Sequence, residues 1–202
     1  MIFVKICGIT NLDDALAALD EGADALGFNF YRPSPRFIEP IAAKQIVEKL
    51  PDTVLTVGVF VNEPSPETVA TEAGVKAMQL HGDESPSYCA SLRPRHLIKA
   101  LSVGPGFDPK RTLDYDVDEI MLDASHKELR GGTGQRFDWS IARTVRDMGI
   151  RLFLAGGLST ENVREAIELV DPYGIDVCST LESSPGKKDR ARMAAFLRAT
   201  RD

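Results

Sequence analysis

Eight short apolar runs recur along this 202-residue chain, spaced by about 25 residues, with an amphipathic stretch between most of them. The runs cover residues 2–6, 25–28, 54–60, 77–80, 97–101, 119–122, 151–154 and 174–177. The intervening spacing predicts helices over 12–21, 41–50, 65–73, 87–92, 138–148, 160–169 and 187–199. Only the fifth connection, 102–118, lacks a helical pattern. Strand and helix in such alternation dictate an α/β fold with a parallel sheet, and eight units suit a closed (β/α)8 TIM barrel in a single catalytic domain, 1–202. An open doubly wound sheet is the rival. Against it, no G-x-G-x-x-G follows the first run, and the glycine-rich segments come late in the chain.

With 43% hydrophobic residues the chain can bury one substantial core. A net charge of -6 argues against a nucleic-acid partner, which normally meets a basic stripe. Cys7, Cys89 and Cys178 are widely spaced and form no CxxC pair, so neither a disulfide framework nor a zinc site is expected. His81, His96 and His126 show no ligand spacing either, and no metal is expected. Without a leader-like start or a long apolar run, the expectation is a cytoplasmic protein with no membrane partner, monomeric or homodimeric.

Chemistry in a parallel barrel gathers where strands end and loops begin. Cys7 closes the first run in Lys5-Ile6-Cys7-Gly8, and Asp123 closes the sixth. A thiol and a carboxyl facing one another across a barrel mouth can divide proton transfers. Standing alone, Cys7 also fits a buried inert cysteine, and Asp123 a loop cap. Arg36 lies in a proline-bordered loop after the second run, where its guanidinium fork suits a carboxylate or phosphate. His81 ends the fourth run, placed to line the site or to serve as a structural histidine. Three late segments are rich in glycine and small hydroxyls: Gly131-Gly132-Thr133-Gly134, Ala155-Gly156-Gly157-Leu158-Ser159 and Cys178-Ser179-Thr180. In a barrel, the loops after the seventh and eighth strands form a phosphate cradle, which points to a phosphate-bearing ligand.

Lys5-Ile6-Cys7-Gly8, Ser34-Pro35-Arg36, Gln79-Leu80-His81-Gly82, Leu122-Asp123 and Leu154-Ala155-Gly156-Gly157-Leu158, in this order and spacing, carry a family resemblance. The chain resembles the phosphoribosylanthranilate isomerases of tryptophan biosynthesis over essentially its full length. The resemblance implies an Amadori rearrangement without a cofactor, converting an N-(5-phosphoribosyl)anthranilate aminoaldose to its aminoketose. It further implies Cys7 as general base, Asp123 as general acid and Arg36 as the holder of the anthranilate carboxylate. Gly156, Gly157, Ser179 and Thr180 would supply phosphate contacts, with His81 lining the site. One departure stands out: the family pattern Ser-Ser-Gly-Val-Glu is Cys178-Ser179-Thr180-Leu181-Glu182 here. Thr180 adds bulk and restricts the backbone, which predicts weaker phosphate affinity, with its hydroxyl offered in return.

Three other readings follow from the residues. A degenerate barrel could bind a sugar phosphate or a partner without turnover, a cysteine hydrolase or redox protein could use Cys7 as nucleophile, and a broader isomerase could accept a second aminoaldose. The second lacks a convincing histidine partner and a resolving cysteine, and members of the third kind usually place aspartate where Cys7 stands. Period-two alternation puts Phe3, Lys5 and Cys7 on one face, with Asp176 and Cys178 aligned on the eighth strand. Lys5 is therefore expected to point inward, pair with Asp176 and favour the Cys7 thiolate.

Overall fold

The computed structural model describes residues 1–124 and 137–201. His126 and the Gly131-Gly132-Thr133-Gly134 loop fall outside them. Eight parallel strands close into a barrel in chain order: β1 (Phe3–Ile6), β2 (Ala25–Asn29), β3 (Leu55–Phe60), β4 (Ala77–Leu80), β5 (His96–Val103), β6 (Glu119–Ala124), β7 (Leu152–Leu154) and β8 (Gly174–Val177). Closure comes from β1 pairing β8, with Lys5 opposite Asp176 and Ile6 opposite Val177. The (β/α)8 expectation holds, and the doubly wound alternative does not.

The helices are α1 (Leu12–Asp20), α2 (Pro40–Val47), α3 (Pro66–Ala73), α4 (Pro86–Ser91), α5 (Trp139–Asp147), α6 (Val163–Val170) and α7 (Arg190–Ala199). Local chemistry starts them. Asn11, Ser85, Asp138 and Asp189 each accept a backbone N–H in the first turn, and prolines open α2, α3 and α4 where a missing N–H costs nothing. The irregular fifth connection contains a short 3-10 helix, Pro109–Asp114, capped by Asp108.

Two expected helix starts are wrong. The sixth helix begins at Val163 rather than 160, after Asn162, whose side chain is committed to bracing the preceding loop. Residues 187 and 188 are not helical: β10 (Lys187–Lys188) pairs antiparallel with β9 (Glu182–Ser184) across a turn at Gly186, and α7 begins only at Arg190. This hairpin closes over the mouth of the barrel beside β8 and brings two charged side chains into it.

The core has two layers. Inside the barrel, Ala25, Val57, Ala77, Ile98, Ala100, Met121, Phe153 and Ala155 fill the lower part. A larger shell of Ile, Leu, Val and Phe side chains lies between the strands and the helices. Lys5 and Asp176 also occupy the interior, so the barrel carries charge directly beneath its mouth.

Candidate active site

Cys7 follows β1 where the strand gives way to a turn. Its N–H still donates to Val177 O at 2.9 Å, and Gly8 then reverses the chain at φ 76°. The side chain is nearly enclosed, 8% exposed. Below it, Lys5 Nζ lies 2.7 Å from Asp176 Oδ1, and both are buried, which is the pairing expected from strand alternation. Burial pulls the Lys5 ammonium toward neutrality, but Asp176 and Cys7 outweigh it and hold the amine above its usual value. Burial pushes Asp176 up to about 6 against the pull of Lys5. Gly27 makes the arrangement possible: a Cβ there would lie 2.8 Å from Cys7 Sγ and 3.0 Å from Lys5 Nζ.

The Cys7 thiol is held well below the ordinary range. The Cys178 thiol directed at its sulfur is the strongest influence; burial opposes it, and Lys5 and Lys188 assist. Cys178 is correspondingly pushed up, first by Cys7 and then by burial. The two thiols are thus shifted in opposite directions, and the lysines beside Cys7 favour its thiolate form.

Asp123, 5% exposed on β6, stands three strands from Cys7 around the closed barrel. His81 Nε2 lies 3.3 Å from Asp123 Oδ2, while Gln79 Nε2 approaches His81 Nδ1 at 3.0 Å. A Gln79 amide donating to Nδ1 places the ring hydrogen on Nε2, toward the carboxyl. His81 is thus placed beside Asp123. Its loop is fixed from behind by the buried pair of Lys99 and Glu84, 2.6 Å apart, with Lys99 also donating to the carbonyls of Leu80 and Gly82. At Gly156, φ 84°, an added Cβ would meet Asp123 Oδ1 at 2.8 Å, so glycine there gives the carboxyl its room.

Arg36 reaches over the β1–β8 seam and is clamped by Glu182, through Nε at 2.8 Å to Oε1 and Nη2 at 2.7 Å to Oε2. Glu182 also accepts from Lys188 Nζ at 3.1 Å. Although burial raises Glu182, Arg36 and Lys188 hold its carboxyl below the ordinary range. Neither Glu182 nor Lys188 was singled out by sequence, because the hairpin that buries them leaves no periodic signature. Arg32, by contrast, is solvent-exposed, paired with Glu39 and stacked on Phe37.

The two late loops meet between β7 and β8. Gly156 and Gly157 both take positive φ, 84° and 67°. The buried side chain of Asn162 ties this loop down, accepting from Ser159 N at 3.0 Å and donating to Gly157 O at 2.8 Å. Ser179 and Thr180 open a 3-10 turn, Ser179–Leu181. The Thr180 hydroxyl, expected to be on offer to a phosphate, instead donates to Leu158 O at 2.7 Å and joins the two loops. Its bond is already made.

The model of the N-(5'-phosphoribosyl)anthranilate isomerase family matches residues 4–199. The chain belongs to the N-(5'-phosphoribosyl)anthranilate isomerase family. An isomerase of this name from Pelobacter propionicus is 45% identical over 204 residues, covering 100% of this chain and 97% of the relative. The crystal structure of phosphoribosyl anthranilate isomerase from Thermotoga maritima superposes with a TM-score of 0.92 at 44% identity, over 100% of this chain and 99% of that one. A further isomerase structure, solved with reduced 1-(o-carboxyphenylamino)-1-deoxyribulose 5-phosphate, gives 0.89 at 42% identity, over 100% of this chain and 99% of that one. Membership makes this barrel an isomerase of tryptophan biosynthesis, and nothing in these matches favours the binding-only alternative.

Proposed function

We propose that this chain carries out the Amadori rearrangement of N-(5'-phosphoribosyl)anthranilate with Asp123 as general acid and Cys7 as general base. Asp123 gives a proton to the furanose ring oxygen, the C1'–O bond breaks, and the anthranilate nitrogen lone pair forms the C1'=N bond of a protonated Schiff base. The Cys7 thiolate then takes the C2' proton, and the C2'–H electrons move toward the iminium nitrogen. The resulting enolamine relaxes to the 2'-ketone. The iminium is the electron sink, so both proton transfers run through side chains of this chain.

The observation that carries the reading is the placing of the Cys7 thiol above the buried Lys5–Asp176 pair and of the Asp123 carboxyl beside His81, three strands apart around one mouth. Arg36 would receive the anthranilate carboxylate on the guanidinium edge that Glu182 leaves, and Gly156, Gly157, Ser179 and Thr180 would face the phosphate. Every one of these groups comes from a single chain, so the site is complete in one protomer, whether monomer or homodimer, and the barrel serves as the whole catalytic unit. The described residues include no helix long and apolar enough to cross a membrane; with the net charge of -6, this supports a cytoplasmic enzyme of a small sugar phosphate without nucleic-acid partners.

The test is to follow loss of substrate fluorescence with wild type, Cys7→Ser and Asp123→Asn. Turnover should fall by roughly two to four orders of magnitude in each variant, the usual scale for removing an acid or base. Substantial turnover by Asp123→Asn would reject the acid, and by Cys7→Ser the base.

A further inference from the structure

Cys178 is a half-buried nucleophile that the proposed reaction does not consume, and the residue beside it is the proposed base. The β1–β8 register sets Lys5 opposite Asp176 and Ile6 opposite Val177. The bond from Cys7 N to Val177 O completes the last pair, and the next residue along each chain is Cys7 on one side and Cys178 on the other. Neighbouring strands lie about 4.8 Å apart, within the roughly 4.4–6.8 Å between Cα atoms that a disulfide spans. Both residues have left regular strand geometry: Gly8 turns at φ 76°, and Cys178 sits at φ -138°, ψ -84°. Their thiols are in contact, the Cys178 S–H directed at the Cys7 sulfur. Cys178 Sγ is 2.9 Å from where a Cβ on Gly8 would begin, and Cys7 Sγ is 2.8 Å from the same point on Gly27.

We propose that Cys7 and Cys178 form a redox pair that a peroxide converts to a disulfide, withdrawing the catalytic base reversibly. The Cys7 thiolate attacks one peroxide oxygen, the S–O bond forms, the O–O bond breaks, and hydroxide leaves. The Cys178 thiol then gives up its proton to hydroxide, and its sulfur attacks the Cys7 sulfur. The S–S bond forms as the S–O bond breaks and a second hydroxide departs. Each sulfur loses one electron and the peroxide gains two, so one water and one hydroxide are released. The lowered thiol at position 7 and the raised one at 178 match attacker and resolver in this order. Cys89, buried in α4 with its thiol raised by burial, is an internal control.

Bond formation stands by itself, while the loss of turnover rests on Cys7 being the base. The full chain is exposed to hydrogen peroxide, quenched with catalase and divided between intact and peptide mass measurement, a turnover assay and dithiothreitol recovery. The expected result is a mass lower by about two units, a peptide linking residues 7 and 178, and a loss of roughly a hundredfold in turnover that dithiothreitol restores. Cys178→Ser, referenced to its own untreated rate, should go past the sulfenic acid to sulfinic and sulfonic acid at Cys7, a gain of two or three oxygens that dithiothreitol does not reverse. Absence of the linked peptide in wild type, or a Cys178→Ser response identical to wild type, would overturn the redox pair. A linked peptide with full turnover would leave the disulfide standing and reject Cys7 as base.

Discussion

Lys5 is buried at the base of the site, and replacing it tests whether its charge, and not merely its bulk, prepares Cys7. Lys5→Met keeps the length and apolar volume that the barrel interior needs. By itself it would strand the Asp176 carboxyl, and breaking a buried pair costs about 3–5 kcal/mol. The informative variant is therefore Lys5→Met/Asp176→Asn, which removes both charges. The Cβ position on Gly27 lies 2.8 Å from Cys7 Sγ and 3.0 Å from Lys5 Nζ. The two atoms thus stand within about 6 Å, where unit charges at an effective dielectric of about 20 interact by roughly 3 kcal/mol, or about two pH units. Asp176 offsets part of this, so the Cys7 midpoint should rise by about one to two units. The assay is iodoacetamide alkylation against pH, resolved by peptide mass so that Cys89 and Cys178 do not contribute, with the acid limb of kcat/KM measured in parallel. A folded double variant with an unmoved Cys7 midpoint would refute the electrostatic role of Lys5 and leave Cys178 and Lys188 as the causes.

Glu182→Gln weakens the clamp on Arg36, and the KM for substrate should rise by about tenfold with kcat retained, the scale of one charged hydrogen bond; an unchanged KM would separate Arg36 from substrate binding. Thr180→Val removes the donor to Leu158 O, and steady-state kinetics should show KM raised by about fivefold at nearly constant kcat, given a bond worth roughly 1 kcal/mol. If KM stays put, that bond does not support the phosphate loops. At the far end of the barrel, Glu119 accepts from His96 Nε2 at 2.7 Å and raises its pKa above 6.5, against burial. A raised histidine stabilises the fold below its unfolded pKa and loses that contribution as pH climbs through the folded value. Melting scans above pH 6.5 should therefore show wild type losing about 0.5–1 kcal/mol, or roughly 2–4 °C, relative to His96→Gln. Parallel curves would contradict it.

The barrel was legible because its cause is local and periodic. Each strand is a short apolar run, each helix begins at an Asn, Ser, Asp or Pro, and the order of units leaves few ways to close a parallel sheet. Alternation along β1 and β8 was enough to foresee Lys5 facing Asp176, since strand side chains must alternate and a barrel must join first strand to last. The site residues at strand ends were legible for the same reason. The partners that tune them were not: Glu182 on Arg36, Gln79 behind His81, Asn162 under the glycine loop and Cys178 against Cys7.

The sequence by itself determined the closed eight-stranded barrel and the placing of Cys7, Arg36, His81 and Asp123 at its mouth, because periodicity and turn chemistry act between neighbours in the chain. Only the tertiary structure decided that Thr180 spends its hydroxyl on Leu158, that 187–188 extend a hairpin instead of starting a helix, and that two adjacent thiols are shifted in opposite directions. Those outcomes depend on which polar groups share a space from which water is excluded. Residues 171 positions apart, such as Lys5 and Asp176, meet there only when the barrel closes.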